Sequence, residues 1–478
     1  MSVADRKLFL GGRLKRLRRD LDLNQTRMAE DLGLSPSYLN LMERNQRPVT
    51  AQVLLRLAET YDLDLRAFSA SRDPAGATEL GEVLTDEIFR DLSIPRHEVS
   101  EVTENAPGVA EAITRLYQAY LDQRRIAALG AGGGDPAQEG ASEPATTPSA
   151  WVRDYIQAQR NYFAELEDVA ESLAAELNVE PQEFAAVGRK RLEDKGIQVQ
   201  IGTVDLMSGF VRRYDYHRRR LYLSEMLSSS GRAFAIAYQL VLAEHSELVA
   251  GMADPAAPPD KATRNLLRVS LSNYLAGAIL MPYGAFHDAA EKSGYDLELL
   301  GARFAVSFEQ ACHRLTTLAR PGARGVPFFM LRVDAAGNIS KRFAGSAFPF
   351  SRSGGTCPRW NIHAAFKTPR RILTQIIETP DKVRYFTLAR TVHRIAAVNE
   401  NDDGDLAIGM GCELKYASKL VYSKGVDLAN PAAVAIGPAC RICERPLCPQ
   451  RAAEPVTRTL TIYDYQKSIS PYPFTSAV

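Results

Sequence analysis

The sequence predicts a multidomain chain: an all-α N-terminal bundle, an α+β middle domain and a mixed α/β C-terminal domain. Three observations predict it. The chain has 478 residues, and one hydrophobic core serves roughly 100–200. Residues 130–150, GAGGGDPAQEGASEPATTPSA, are rich in small residues and proline without periodicity, the composition of a flexible linker. From Phe328 onward apolar residues alternate between turn signals, where earlier segments show helical spacing. The resulting segments are 1–70, an acidic helical stretch 71–129, the linker 130–150, then 151–325 and 326–478.

Hydrophobic residues make up 45% and charged residues 24%, the balance of soluble globular protein. Lys and Arg total 58 against 57 Asp and Glu, a formal charge of +1. Taken alone, that argues against nucleic acid. The local counts differ. Residues 1–20 carry seven basic and two acidic residues, net +5, whereas 71–129 carry six Arg and eleven acids, net −5. A basic face therefore survives at the N-terminus. No apolar stretch is long enough for a signal peptide or a membrane span, so a cytoplasmic protein with reduced cysteines is expected.

In the first domain, Asn24 can cap a helix running through Leu32, and Gly33 turns the chain. Ser35 caps the next helix, with Pro36 at its first position, where a missing N–H costs nothing. Leu39 and Met42 face inward, while Ser37, Asn40, Leu41 and Arg44 share the outer face at i, i+3, i+4 and i+7. This is the layout of a helix laid in a DNA major groove. Over Leu10–Phe68 the sequence resembles the helix-turn-helix of phage-repressor-like (XRE) regulators. The resemblance implies that Gln25 and Arg44 hold phosphates and that Ser37, Asn40 and Tyr38 approach base edges, with Ser35 at the same helix end. Arg13, Lys15, Arg16 and Arg18 would add salt-sensitive attraction.

In the middle domain, apolar spacing predicts a long helix over Trp151–Leu177, strands at Ile197–Val204 and Leu221–Ser224 with an Arg-rich bend between them, and two largely apolar helices, Phe234–Leu248 and Leu266–Leu280. Residues 160–320 resemble the domain that follows the helix-turn-helix in ImmA/IrrE-type metallopeptidases, where one helix carries H-E-x-x-H. Here Tyr238 and Leu242 stand at the two His positions, Gln239 at the Glu and Leu271 at the third ligand. Tyr, Gln and Leu cannot assemble a hydrolytic zinc site. The expectation is a degenerate metallopeptidase fold, no catalysis and a pocket converted to sensing. An active peptidase that cleaves a repressor is the disfavoured rival.

In the third domain, Asp334–Asn338 reads as a hairpin turn, and strands continue at Val383–Ala389 and Leu406–Met410, a sensor domain of GAF- or PAS-like type. Arg303, His313, Arg314, Arg320, Arg324, Lys341 and Arg342 crowd one stretch and suit phosphates. With Gly354–Phe366, GGTCPRWNIHAAF, this stretch resembles the short-chain fatty acyl-CoA regulators of bacterial transcription, a likeness extending over nearly the whole chain. The resemblance implies control of short-chain acyl-CoA assimilation genes, an acyl-CoA effector, double-stranded operator DNA and a homo-oligomer, dimer or tetramer. A regulator responding to redox state or iron alone is the second rival.

Cys440, Cys443 and Cys448 form C-x2-C-x4-C-P, with Cys412 upstream and Cys357 as a further candidate. Closely spaced thiolates in a reducing compartment point to metal. Zinc favours two C-x2-C pairs, and only one is present. Three cysteines in a short loop plus one distant fit an iron–sulfur cluster better. Zinc and a metal-free redox thiol group stay open. The resemblance favours a cluster, of 4Fe–4S type, with Cys412 taken as the fourth ligand. Cys312 reads as a core residue.

Overall fold

A computed structural model describes residues 11, 14, 17–18, 23–44, 46–61, 74–92, 94–130, 147–207, 209–345, 348, 356–393, 404–455 and 458–474. Two compact units result, Met1–Tyr117 and Gln118–Val478. In the first, α1 (Gln25–Asp31), α2 (Pro36–Glu43) and α3 (Ala51–Tyr61) enclose Leu14, Met28, Leu32, Leu39, Met42 and Leu57. The caps are those the residues require: Asn24 accepts from the Arg27 N–H at 2.8 Å and Ser35 from the Tyr38 N–H at 3.2 Å. Gly33 takes φ 61° between the helices, a left-handed turn that glycine adopts without strain. A smaller cluster around Leu80, Val99 and Ala110 joins α4 (Pro74–Val83), α5 (Arg96–Asn105) and α6 (Pro107–Gly130).

Most of the expected linker, 131–146, lies outside the described residues. Its end does not read as linker. Thr147 caps α7 (Pro148–Ala158), with Pro148 at the first position. The single helix expected over 151–177 is two, α7 and α8 (Ala164–Leu177). Arg160 and Asn161 both take φ 53°, which no right-handed helix can traverse. The buried Asn161 amide donates to Thr316 Oγ1 at 2.7 Å, which holds the break.

After α9 (Phe184–Asp194), β1 (Gln198–Gly202) pairs parallel to β3 (Arg220–Ser224), and β2 (Arg212–Asp215) pairs antiparallel to β3. The Arg-rich bend thus holds a strand. Helices α10 (Ser229–Glu244), α11 (Ser246–Ala253), α12 (Lys261–Leu280), α13 (Tyr283–Ser293), α14 (Leu297–Arg303) and α15 (Phe308–Leu315) complete this part. A buried ion pair ties it together. Arg314 of α15 grips Glu167 of α8 through two bonds of 2.6 and 2.7 Å, and donates to the Met281 carbonyl at 2.9 Å. Tyr274 of α12 donates to the same carboxylate at 2.5 Å.

The C-terminal sheet comprises β4 (Phe329–Val333), β5 (Ile339–Ala344), β6 (Leu373–Glu378), β7 (Arg384–His393), β8 (Asp405–Glu413) and the short β9 (Val434–Ala435), ordered β5-β4-β8-β7-β6-β9. Numbered within the domain, the first five run 2-1-5-4-3. The predicted turn at 334–338 joins β4 to β5, with Gly337 at φ 86°. Period-two alternation sorts the strands. Phe329, Leu331, Tyr385 and Ala407 face Trp360 and Ile362, while Met330, Phe386, Ile408 and Met410 face the helices. The second set shares one continuous core with the middle domain. The boundary expected at 325/326 therefore marks a change of element type, not a break in packing.

Candidate functional sites

The recognition helix is α2. Ser37 and Arg44 are exposed, Asn40 and Leu41 half-buried. Gln25 does not stand free: its amide donates to Glu43 Oε2 at 2.6 Å and to Asn40 Oδ1 at 3.4 Å. Glu43 also receives Arg18 Nε at 2.6 Å, so one nearly buried carboxylate braces three helical segments. Ser35 is occupied as a helix cap, and Tyr38 packs partly against the bundle core. The outward polar edge of α2 is thus narrower than the sequence suggests: Ser37 and Arg44 exposed, with Asn40 half-buried between them. Arg13, Lys15 and Arg16 lie outside the described residues.

At the peptidase-like positions, Tyr238, Gln239 and Leu271 are buried in the main core. The Arg212 guanidinium lies 3.6 Å over the Tyr238 ring, a cation–π contact that fills the space with packing. Leu242 is exposed. Neither zinc ligand nor base stands at these positions.

A cavity of about 1090 Å³ lies between the helices and the β4–β5 hairpin. Val152, Ile156, Phe163, Phe234, Leu266, Leu271 and Tyr274 give it an apolar side. The hairpin contributes Met330, Arg332, Lys341, Arg342 and Phe343. Glu309 of α15 bonds Arg332 at 2.9 Å and Lys341 at 2.8 Å, anchoring the hairpin to the helix. Burial raises the Glu309 pKa, but Lys341 and Arg332 outweigh it and hold the carboxyl below its usual range. Beside them, burial and then Lys341 push the His313 imidazole down to about 3, so it is neutral near pH 7.

Of the seven expected effector residues, His313, Lys341 and Arg342 line this cavity. The other four stand elsewhere. Arg314 is consumed by Glu167, and Arg320 pairs with Glu171 at 2.7 Å while stacking 4.2 Å over Tyr283. Arg303 and Arg324 are exposed on α14 and on a loop. Sequence reasoning missed Arg153, Arg332 and Glu309. Arg332 had a signal, because it sits opposite Lys341 across a two-stranded register.

A second, small cavity is ringed by Cys357, Cys440, Cys443 and Cys448. Cys412 is not there. It lies in β8 opposite Phe386, fully buried in the main core, where burial pushes its thiol pKa well up. The thiol that joins the loop trio is Cys357. Burial raises its pKa, with smaller contributions from Cys443 and Cys440, against backbone hydrogen bonds from Gly437 and Arg359. Arg451, 3% exposed, shapes the loop by donating to the carbonyls of Cys440 (2.9 Å), Cys443 (2.7 Å) and Arg445 (2.9 Å). Cys312 is a buried core residue, as its context suggests.

Among the described residues no three His, Cys, Asp or Glu side chains converge as around a single metal ion. A Cβ on Gly437 would stand 2.5 Å from Cys443 Sγ and 2.8 Å from its Cβ, so only glycine admits Cys443 to the ring. Gly437→Ala should lower stability by about 1–3 kcal/mol through overpacking. A melting temperature equal to that of the parent would show that the loop gives way freely.

Comparison with known proteins agrees with this organisation. Residues 14–68 match a helix-turn-helix family, 192–316 the IrrE N-terminal-like domain, and 317–472 the short-chain fatty acyl coenzyme A regulator C-terminal family. The chain is 39% identical to the HTH-type transcriptional regulator RamB of Mycobacterium tuberculosis over 98% of both chains. It is 38% identical to the propionyl-CoA carboxylase regulator of Cereibacter sphaeroides, again over 98% of each. A solved structure titled Mycobacterium tuberculosis transcriptional regulator is 39% identical, with a TM-score of 0.65 over 68% of this chain and 99% of that one. Among the described residues no helix is long and apolar enough to cross a membrane.

Proposed function

The chain belongs to the short-chain fatty acyl coenzyme A regulator family of transcription factors, and on that premise we propose that an acyl-CoA in the cavity beneath β4–β5 tunes its affinity for operator DNA. One observation carries this reading: the cavity has an apolar side and a cationic side. CoA presents phosphates to Arg332 and Lys341, and an acyl tail to the helices. A volume of about 1090 Å³ lies just above the roughly 300–1,000 Å³ usual for small-molecule sites, and CoA is a large ligand. A phosphate arriving at Arg332 and Lys341 competes with Glu309 for both. The hairpin's anchor to α15 is thereby coupled to binding. A coupling of about 1–3 kcal/mol gives a 5–150-fold change in operator affinity.

Thermal shift and operator titration with a panel of acyl-CoAs test the proposal. Stabilisation together with changed operator affinity is expected. If neither moves with any acyl-CoA, the cavity is not an effector site and a redox- or iron-responsive regulator becomes the better reading.

The cysteine ring is proposed to hold an iron–sulfur cluster of 4Fe–4S type, with Cys357, Cys440, Cys443 and Cys448 as ligands. Three cysteines in one short loop with a fourth at the same small cavity support a cluster over a zinc site, which favours paired C-x2-C motifs. Such a group would supply redox or iron sensitivity, while Arg451 fixes the loop carbonyls and Gly437 makes room for Cys443. DNA binding is proposed to occur as a homo-oligomer on paired half-sites. For the reader itself, Asn40→Ala with Ser37→Ala should weaken specific operator binding at least about 30-fold, at about 1–3 kcal/mol for each of the two lost base contacts. Binding to random DNA should change little. Fluorescence anisotropy on both duplexes checks this, and equal losses on the two would mean that α2 holds only phosphates.

A further inference from the structure

Building on the acyl-CoA reading, we infer that Leu271 sets the acyl chain length the cavity accepts. The argument begins with the register of the hairpin wall. Arg332 faces Lys341, and Met330 faces Phe343. Two residues along a strand is about 7 Å on the same face. The wall therefore passes from a cationic pair near the hairpin turn to an apolar pair farther from it. A ligand with its phosphates on the cationic pair runs its uncharged end past Met330 and Phe343 toward the helices.

There α12 presents one face: Leu266, Ser270 and Asn273, with Leu271 and Tyr274 beside them, at i, i+4 and i+7 spacing. Phe234 of α10, Phe163, Val152 and Ile156 close the apolar end. Leu271 is fully buried yet lines the cavity, and Phe163 is pinned edge-on to Tyr274 with centroids 5.1 Å apart. The rings leave little freedom, and Leu271, packed in the core beside Tyr274 on α12, is the aliphatic side chain there whose size can be changed. It also stands where the sequence places a metal ligand in the catalytic relatives of this fold. Leucine there gives the cavity an aliphatic side chain where a zinc site would need a ligand.

The test compares dissociation constants of propionyl-CoA and hexanoyl-CoA for the full chain and two variants. A methylene that a hydrophobic pocket admits or rejects changes affinity about tenfold or more. Leu271→Ala should shift the preference roughly tenfold toward hexanoyl-CoA, and Leu271→Phe as strongly toward the shorter chain. A general loss of structure would lower both affinities and leave their ratio alone. Should Leu271→Ala fail to fold, Leu271→Val gives a smaller shift in the same direction. An unaltered ratio in folded variants that still bind overturns this inference and leaves the acyl-CoA site standing. Absence of binding of either thioester to the parent chain overturns both.

Discussion

Arg314→Met is expected to destabilise the Gln118–Val478 unit by about 3–5 kcal/mol, because it strands the Glu167 carboxylate in an interior that excludes water. Arg314 is 3% exposed and Glu167 is fully buried. Two short bonds join them, and the Tyr274 hydroxyl completes the carboxylate's partners. The variant leaves Glu167 only its tyrosine. The double variant Glu167→Leu, Arg314→Met removes both charges and should recover most of the loss, since a well-packed apolar pair is often no less stable than a buried ion pair. Calorimetry of the three proteins distinguishes these terms. If the double variant melted as low as the single one, the pair would contribute more through its geometry than through charge compensation.

Cys357→Ser should abolish cluster incorporation in anaerobically prepared protein, whereas Cys412→Ala should retain it. Iron and acid-labile sulfide content, with visible absorption, provide the readout. The difference follows from position. Cys357 shares a cavity with the loop cysteines, but Cys412 projects from β8 into packed side chains opposite Phe386. The reverse result would restore Cys412 as fourth ligand and remove Cys357 from the site.

The helix-turn-helix was legible almost residue by residue, because caps, turn glycine, first-position proline and core spacing are local signals. Asn24, Gly33, Ser35 and Pro36 each do what the chain around them dictates. The cavity was not legible. Its cations come from β4, β5 and α7, and only register places Arg332 beside Lys341. Arg314 and Arg320 read as phosphate binders until Glu167 and Glu171, about 150 residues upstream, take them as partners. Cys357 was passed over for a similar reason. Cys412 was taken as the fourth ligand, and strand alternation turned that side chain into the core. The helix break at Arg160 and Asn161 has no glycine or proline to announce it. It is set by Asn161 reaching Thr316.

The continuous core beneath the sheet constrains how such a protein can be inherited. Met330, Phe386, Ile408 and Met410 complete a surface begun by the helices. Separated near residue 325, each half would expose a broad oily face, the kind of patch that drives aggregation. Recombination can readily exchange the DNA reader, which belongs to a separate unit. The IrrE-like part and the sheet have to travel as a single genetic cassette, so a lineage can exchange its helix-turn-helix far more easily than either half of the larger unit.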